Sequence, residues 1–207
     1  MGFIAERDEY EFISECRKKY YDEHNEKNFH VTILTTSDCN ARCYYCYEKG
    51  IKKQPMTLET AQQVYNYIIT NRNGKNVCLH WFGGEPLYNA EIIDYICERL
   101  KEDGIKYTSY MITNGFLIGE NKSKIRGLWN LKRLQITIDA IGDEYNKIKN
   151  YIYKGVDAFE TVINNIEWLL NNDICVAVRI NYDPNKIEIA KDTLKYLHEK
   201  FGPPPII

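Results

Sequence analysis

Strand-like and helix-like segments alternate along this sequence from residue 29 onward, and that alternation predicts an α/β fold of successive βα units on a parallel sheet. A length of 207 residues suits one domain with short extensions. The content, 44% apolar and 27% charged, is that of a globular chain with a packable core.

Each element has its own signal. Five β-rich runs, at 29–36, 76–82, 106–113, 132–139 and 174–181, are the strand candidates. Leu58, Ala61, Val64, Tyr65 and Ile68 recur at helical spacing after the first run, and Ile92, Ile93, Ile96, Cys97 and Leu100 after the second. Phe159, Val162, Ile163, Ile166, Leu169 and Leu170 form a third such face. Thr57 and Asn89 are expected as N-caps of the first two helices, with Gly74 and Gly104 in the turns that follow. A last helix, 186–200, carries Ile187, Ala190, Leu194 and Leu197 and stops at Gly202 and three prolines. About five βα units result, preceded by a partly helical N-terminal extension over 1–28.

Charge excludes some partners. The net formal charge is −2 and the cations are scattered, so no footprint for a nucleic-acid backbone is present. No apolar run reaches the roughly 20 residues of a membrane helix, and residues 1–11 lack an export-signal pattern. A cytoplasmic protein with no membrane or nucleic-acid partner is expected. Seven cysteines then suit thiols kept reduced as ligands or as buried apolar groups. Cys16, Cys78, Cys97 and Cys175 lie singly in apolar surroundings and are expected to be small buried residues.

Ligands of parallel βα folds sit at the carboxyl ends of the strands. After the first strand comes Cys39-Asn40-Ala41-Arg42-Cys43-Tyr44-Tyr45-Cys46, a C-x3-C-x2-C cluster. Thiolates select zinc or iron–sulfur clusters, and a structural zinc site wants four ligands. Three leave a metal position open, which a catalytic metal requires. Zinc completed by His24 or His30, or a chance grouping of cysteines, are the alternatives. After the second strand comes Gly83-Gly84-Glu85-Pro86, in which the glycines permit close approach to a ligand and Glu85 adds charge or fixes the loop. By itself that stretch also reads as ordinary turn chemistry.

Together the two motifs resemble the radical S-adenosylmethionine superfamily. The resemblance implies a partial TIM-like (βα) barrel over 29–207, with Cys39, Cys43 and Cys46 holding a [4Fe-4S] cluster whose remaining iron chelates S-adenosylmethionine. Tyr45 matches the aromatic position that packs near adenine, and Gly83, Gly84, Glu85 and Pro86 match the turn beside the cofactor's amino group. Farther along, Asn114 in Thr113-Asn114-Gly115 and the polar face Gln135, Thr137, Asp139 lie at strand ends, and Arg179 and Asn181 repeat the pattern on the fifth strand. The likeness places Asn114, Thr137 and Asp139 near the methionine or ribose of the cofactor. The ordinary readings are a cap for Asp139 and a carboxylate partner for Arg179.

Cys46-Tyr47-Glu48, Thr113-Asn114-Gly115 and Arg179 to Asn181 resemble peptide- and protein-modifying branches, the sulfatase-maturing enzymes and ribosomal-peptide maturases. A polypeptide substrate and an external electron donor such as a flavodoxin or ferredoxin are implied. Three departures stand out: Tyr145-Asn146 and Lys149 replace a His-Asp pair and an Arg, Ala140 replaces a glycine, and the chain stops before a sixth βα unit or a second cysteine cluster. A truncated chain is expected on that ground. Its rival reading is a non-catalytic homologue that binds a peptide or holds a structural metal.

Overall fold

In the computed structural model, residues 26–202 are described continuously, together with Glu11, Ser14, Glu15, Arg17 and Lys18. The N-terminal extension and Cys16 therefore fall largely outside the described residues. Five strands follow one another in sequence and in space, β1 (Asn28–Leu34), β2 (Asn76–Phe82), β3 (Tyr107–Thr113), β4 (Leu131–Thr137) and β5 (Cys175–Arg179), in the order β1-β2-β3-β4-β5. Every pairing is parallel. The parallel sheet of successive βα units is the one the alternation predicts, and its unbroken strand order suits the partial TIM-like barrel that the resemblance implies.

Side-chain alternation divides the sheet. Val77, Leu79 and Trp81 of β2 and Leu134 and Ile136 of β4 are buried, almost wholly inaccessible to solvent, beneath the helices. Each such side chain contributes about 1.5–3 kcal/mol of burial energy. Cys78, His80 and Phe82 occupy the opposite, concave face. The register carries that face across the strands, with Thr32 beside His80, His80 beside Tyr110 and Tyr110 beside Arg133.

Helix α1 (Leu58–Asn71) starts where Thr57 Oγ1 accepts from Thr60 N, as expected, and its chain reverses through Gly74 at φ 77°. Ala61, Tyr65 and Ile68 are buried, whereas Leu58, in the first turn, is exposed. Helix α2 (Ala90–Glu102) buries all five residues of its predicted face. Asn89 occupies the capping position but makes no cap bond; its Nδ2 donates to Thr35 O and Met56 O. It ties α2 to the loop after β1, a long-range pairing invisible to local spacing.

Two short helices, α3 (Lys122–Arg126) and α4 (Gly142–Lys149), were not expected, because five and eight residues give too few turns for a periodic signal. Helix α5 (Ala158–Leu170) is capped by Asp157 and buries the predicted face except Leu170. In α6 (Ile187–Phe201) the buried residues are Thr193 and Leu197, and Tyr196 meets Phe159 of α5 at 5.5 Å between ring centroids. Leu194, expected inside, is exposed, since the helix turns its 193–196–197 face to α5. Cys78 and Cys97 are buried as expected; Cys175, at the start of the edge strand β5, is exposed.

Candidate active site

The loop from β1 to α1 carries all three clustered cysteines across the carboxyl end of the sheet. Asp38 Oδ1 accepts from Cys39 N at 2.7 Å, and Cys46 N donates to Cys43 O at 3.2 Å, so the cysteine run is folded into turns. Cys39, Cys43 and Cys46 are unpaired thiols lining one cavity of about 760 Å³. The size is that of a cofactor site. Burial pushes the Cys39 thiol up to about 12 and the Cys43 thiol upward. Ala41 N and Asn114 Nδ2 lie 3.3 and 3.7 Å from Cys39 Sγ, so two N–H groups already face the atom that a metal would convert to thiolate.

The Gly83 to Pro86 turn fastens that loop. Gly84 N donates to Thr36 O and Glu85 N to Asp38 O, both at 2.9 Å. Gly83 sits at φ 133°, and a Cβ there would stand 2.2 Å from Thr36 O; a Cβ on Gly84 would stand 2.4 Å from Asp38 O. Only glycine fits either position. Both glycines line the cavity, whereas Glu85 and Pro86 are buried behind it. Glu85 accepts from Leu87 N, Thr113 Oγ1 and Asn114 N, at 3.1, 2.8 and 2.8 Å. Its carboxyl joins β2 to β3, so of its two anticipated roles the geometry favours fixing the loop. Burial raises it to about 7, against the downward pull of the three donated bonds.

Opposite the cysteines, Asp139 follows β4. Lys149 Nζ lies 2.7 Å from Asp139 Oδ2, Asn181 N donates to Oδ1 at 3.1 Å, and the Tyr45 hydroxyl donates to the same carboxylate. Lys149 Nζ also donates to Tyr45 at 2.9 Å, while Lys149 O accepts from Arg42 N at 2.9 Å. Burial and then the Asp139 carboxylate raise the Tyr45 phenol, which stays protonated as a donor. Lys149, which stands where the resemblance expects an arginine, therefore ties the cysteine loop to the β4 end. Its spacing of four from buried Tyr145 places both on one helical face, the signal that marks it.

The remaining expected residues meet here. Asn114 lines the cavity and bonds Asn40 Oδ1; Thr137, Arg179 and Asn181 also line it, with Arg179 Nε donating to Asn181 Oδ1 at 2.9 Å. Gln135 lies deeper on the same sheet face, outside the lining. Among the described residues, those lining a second, shallower groove of about 460 Å³ between β1 and α1 include no thiol, carboxylate or cation.

The donor set suits an iron–sulfur cluster. Among the described residues no three His, Cys, Asp or Glu side chains gather round the position of one metal ion. Around a multi-iron cluster they need not, because each thiolate binds a different iron.

A family model described as the radical SAM superfamily matches residues 33–197, which span both motifs, the end of β1 and the whole of β2 to β5. The chain belongs to the radical SAM superfamily. Among curated relatives, the radical SAM cyclopropyl synthase TigE of Paramaledivibacter caminithermalis is 28% identical over 188 residues, 81% of this chain and 37% of that protein. GTP 3′,8-cyclase of Limosilactobacillus fermentum is 35% identical over 133 residues, 63% of this chain and 39% of the relative. Among solved structures, anSMEcpe with bound AdoMet and Cp18Cys peptide matches with a TM-score of 0.68 at 21% identity, covering 83% of this chain and 48% of that one. TsrM of Kitasatospora setae, with cobalamin and a [4Fe-4S] cluster bound, matches with a TM-score of 0.60 at 15% identity, covering 88% and 36%. This radical SAM chain spans about a third to a half of the length of the curated relatives it matches.

Proposed function

We propose that this chain is the cofactor-cleaving core of a radical SAM enzyme, in which Cys39, Cys43 and Cys46 hold a [4Fe-4S] cluster and the cavity beside them takes S-adenosylmethionine. The observation that carries the reading is three unpaired thiols on one cavity whose rim is the Gly83–Gly84 turn. The cluster with its cofactor supplies one-electron cleavage to methionine and a 5′-deoxyadenosyl radical, which abstracts hydrogen from substrate.

The chain's own residues bind and orient. Glu85 holds Thr113 and Asn114, Asn114 faces Cys39, and the Asp139–Lys149–Tyr45 linkage holds the other side of the cysteine loop. Thr137, Arg179 and Asn181 offer a hydroxyl, a cation and an amide to the polar parts of the cofactor or substrate.

A peptide or protein is the proposed substrate. Its support is the likeness to maturases at Cys46-Tyr47-Glu48 and Arg179 to Asn181, together with the peptide held by the fold-mate anSMEcpe. The identity to GTP 3′,8-cyclase supports a second reading, a nucleotide substrate.

Anaerobic addition of iron and sulfide, followed by dithionite and S-adenosylmethionine, tests the core proposal. A brown protein that releases 5′-deoxyadenosine is expected, and a colourless protein that binds zinc instead would overturn it. Stimulation of 5′-deoxyadenosine release by GTP, in the absence of peptide, would favour the nucleotide.

A further inference from the structure

We infer that the cavity selects a basic residue, lysine or arginine, in its polypeptide substrate, with Glu48 and Glu144 receiving the cation and Tyr44 and Tyr47 bordering it; this rests on the peptide reading proposed above. Two stretches form one wall of the cavity, the cysteine loop through Tyr44, Tyr47 and Glu48, and α4 through Glu144, Ile148 and Lys149. Its signs are unequal. Among the described residues these stretches bring a single cation to the lining, Lys149, and Asp139 already holds it at 2.7 Å. Glu48 and Glu144 are half-buried, and among the described residues neither carboxylate has an ion-pair or hydrogen-bond partner. Arg42, Lys49 and Lys147, the cations nearest to them in sequence, stay outside the lining.

One of the rings is positioned ahead of any ligand. Tyr44 meets Tyr45 edge-on, with ring centroids 5.4 Å apart and planes at 82°, and Tyr45 in turn accepts from Lys149 Nζ at 2.9 Å. Tyr44 is nevertheless 66% exposed, and Tyr47 is 77% exposed. Aromatic surface left in water beside two unpaired carboxylates is what a cation on an apolar stem would cover. The stem packs against the rings, and the charge is drawn by their faces and by the carboxylates. Across the cavity, β5 and the turn before α6 bring Arg179 and Lys186 together with Asp183. That wall carries both signs, so the facing pair of glutamates remains the more strongly charged sector.

A nucleoside triphosphate would need the opposite arrangement. Sites for it gather cations and backbone N–H groups round the phosphate oxygens. Here a phosphate group on the loop and α4 wall would meet two carboxylates without a free cation between them. The same wall therefore discriminates between the two substrate readings and, among peptides, against acidic and neutral residues.

The test is a calorimetric titration of the reconstituted full chain, in the presence of S-adenosylmethionine, with GTP and with four capped pentapeptides, Ala-Gly-X-Gly-Ala, in which X is lysine, arginine, methionine or glutamate. The lysine and arginine peptides are expected to bind at least about tenfold more tightly than the methionine and glutamate peptides. Glu48→Gln with Glu144→Gln is expected to abolish that difference, and Glu48→Lys with Glu144→Lys to move the preference to the glutamate peptide. Equal behaviour of the four peptides toward the wild type, whether all bind or none does, overturns the inference. So does tighter binding of GTP than of the lysine peptide, or a preference for lysine that survives in the double glutamine variant. Failure of the wild type to assemble a cluster and release 5′-deoxyadenosine would instead sink the cofactor-cleaving reading, and the same titration on the chain as purified would still decide this one.

Discussion

Lys149 Nζ stands 2.7 Å from Asp139 Oδ2, with side-chain exposures of 3% and 2%. Both charges have left water, so each depends on the other and on Tyr45 to offset desolvation. Removing one partner is worse than never having had either.

Lys149→Met is accordingly expected to destabilise the chain by about 3–5 kcal/mol, because Asp139 is left buried without a counter-charge. Lys149→Met combined with Asp139→Asn is expected to recover much of that loss. Urea unfolding of the two variants measures it, and a double variant no better than the single one would show that the pair is not the source.

Gly83→Ala and Gly84→Ala are each expected to disorder the cysteine loop. The new methyl group would stand 2.2 Å from Thr36 O or 2.4 Å from Asp38 O, and at Gly83 the φ of 133° adds strain of about 1–3 kcal/mol. Iron bound after reconstitution, measured per chain, should fall sharply in both. Full loading in either variant would mean that the backbone can move aside.

Glu85 ties stability to pH. Its ordinary value of 4.5 is raised to about 7 in the fold, so between these the unfolded chain has already released a proton that the folded chain retains. Stability from this group is greatest below pH 4.5, declines as pH rises to about 7 and is flat above. The decline amounts to about 3 kcal/mol. Glu85→Gln should remove this slope from a series of urea unfolding curves, and an unchanged slope would assign it to other groups.

Replacing Cys39, Cys43 or Cys46 by Ala is expected to abolish 5′-deoxyadenosine formation, whereas Cys175→Ser, at an exposed position, should leave it at the parental rate. Product measured by chromatography distinguishes the four variants.

Much of this was legible in the sequence wherever the signal was local. Strand β2 begins and ends where its β-rich run does, and the five apolar residues of α2 are all buried, because periodicity reports burial directly. The cysteine spacing and the Gly-Gly pair marked the cavity for the same reason. What escaped was long-range. Asn89 bonds carbonyls 33 and 54 residues away, and Lys149 reaches Tyr45 across 104 residues, pairings that no window of sequence contains. Leu194 and Cys175 turned outward because only the packing of α6 on α5 and the position of β5 at the edge decide their surroundings.

The contact of Gly83 and Gly84 with the carbonyls of Thr36 and Asp38 makes the two signature stretches a lock and its key. A protein engineer who transplanted the cysteine segment alone into another scaffold would carry across the ligands without the surface that gives them their shape. Both halves have to travel together, with the spacing between neighbouring strands preserved.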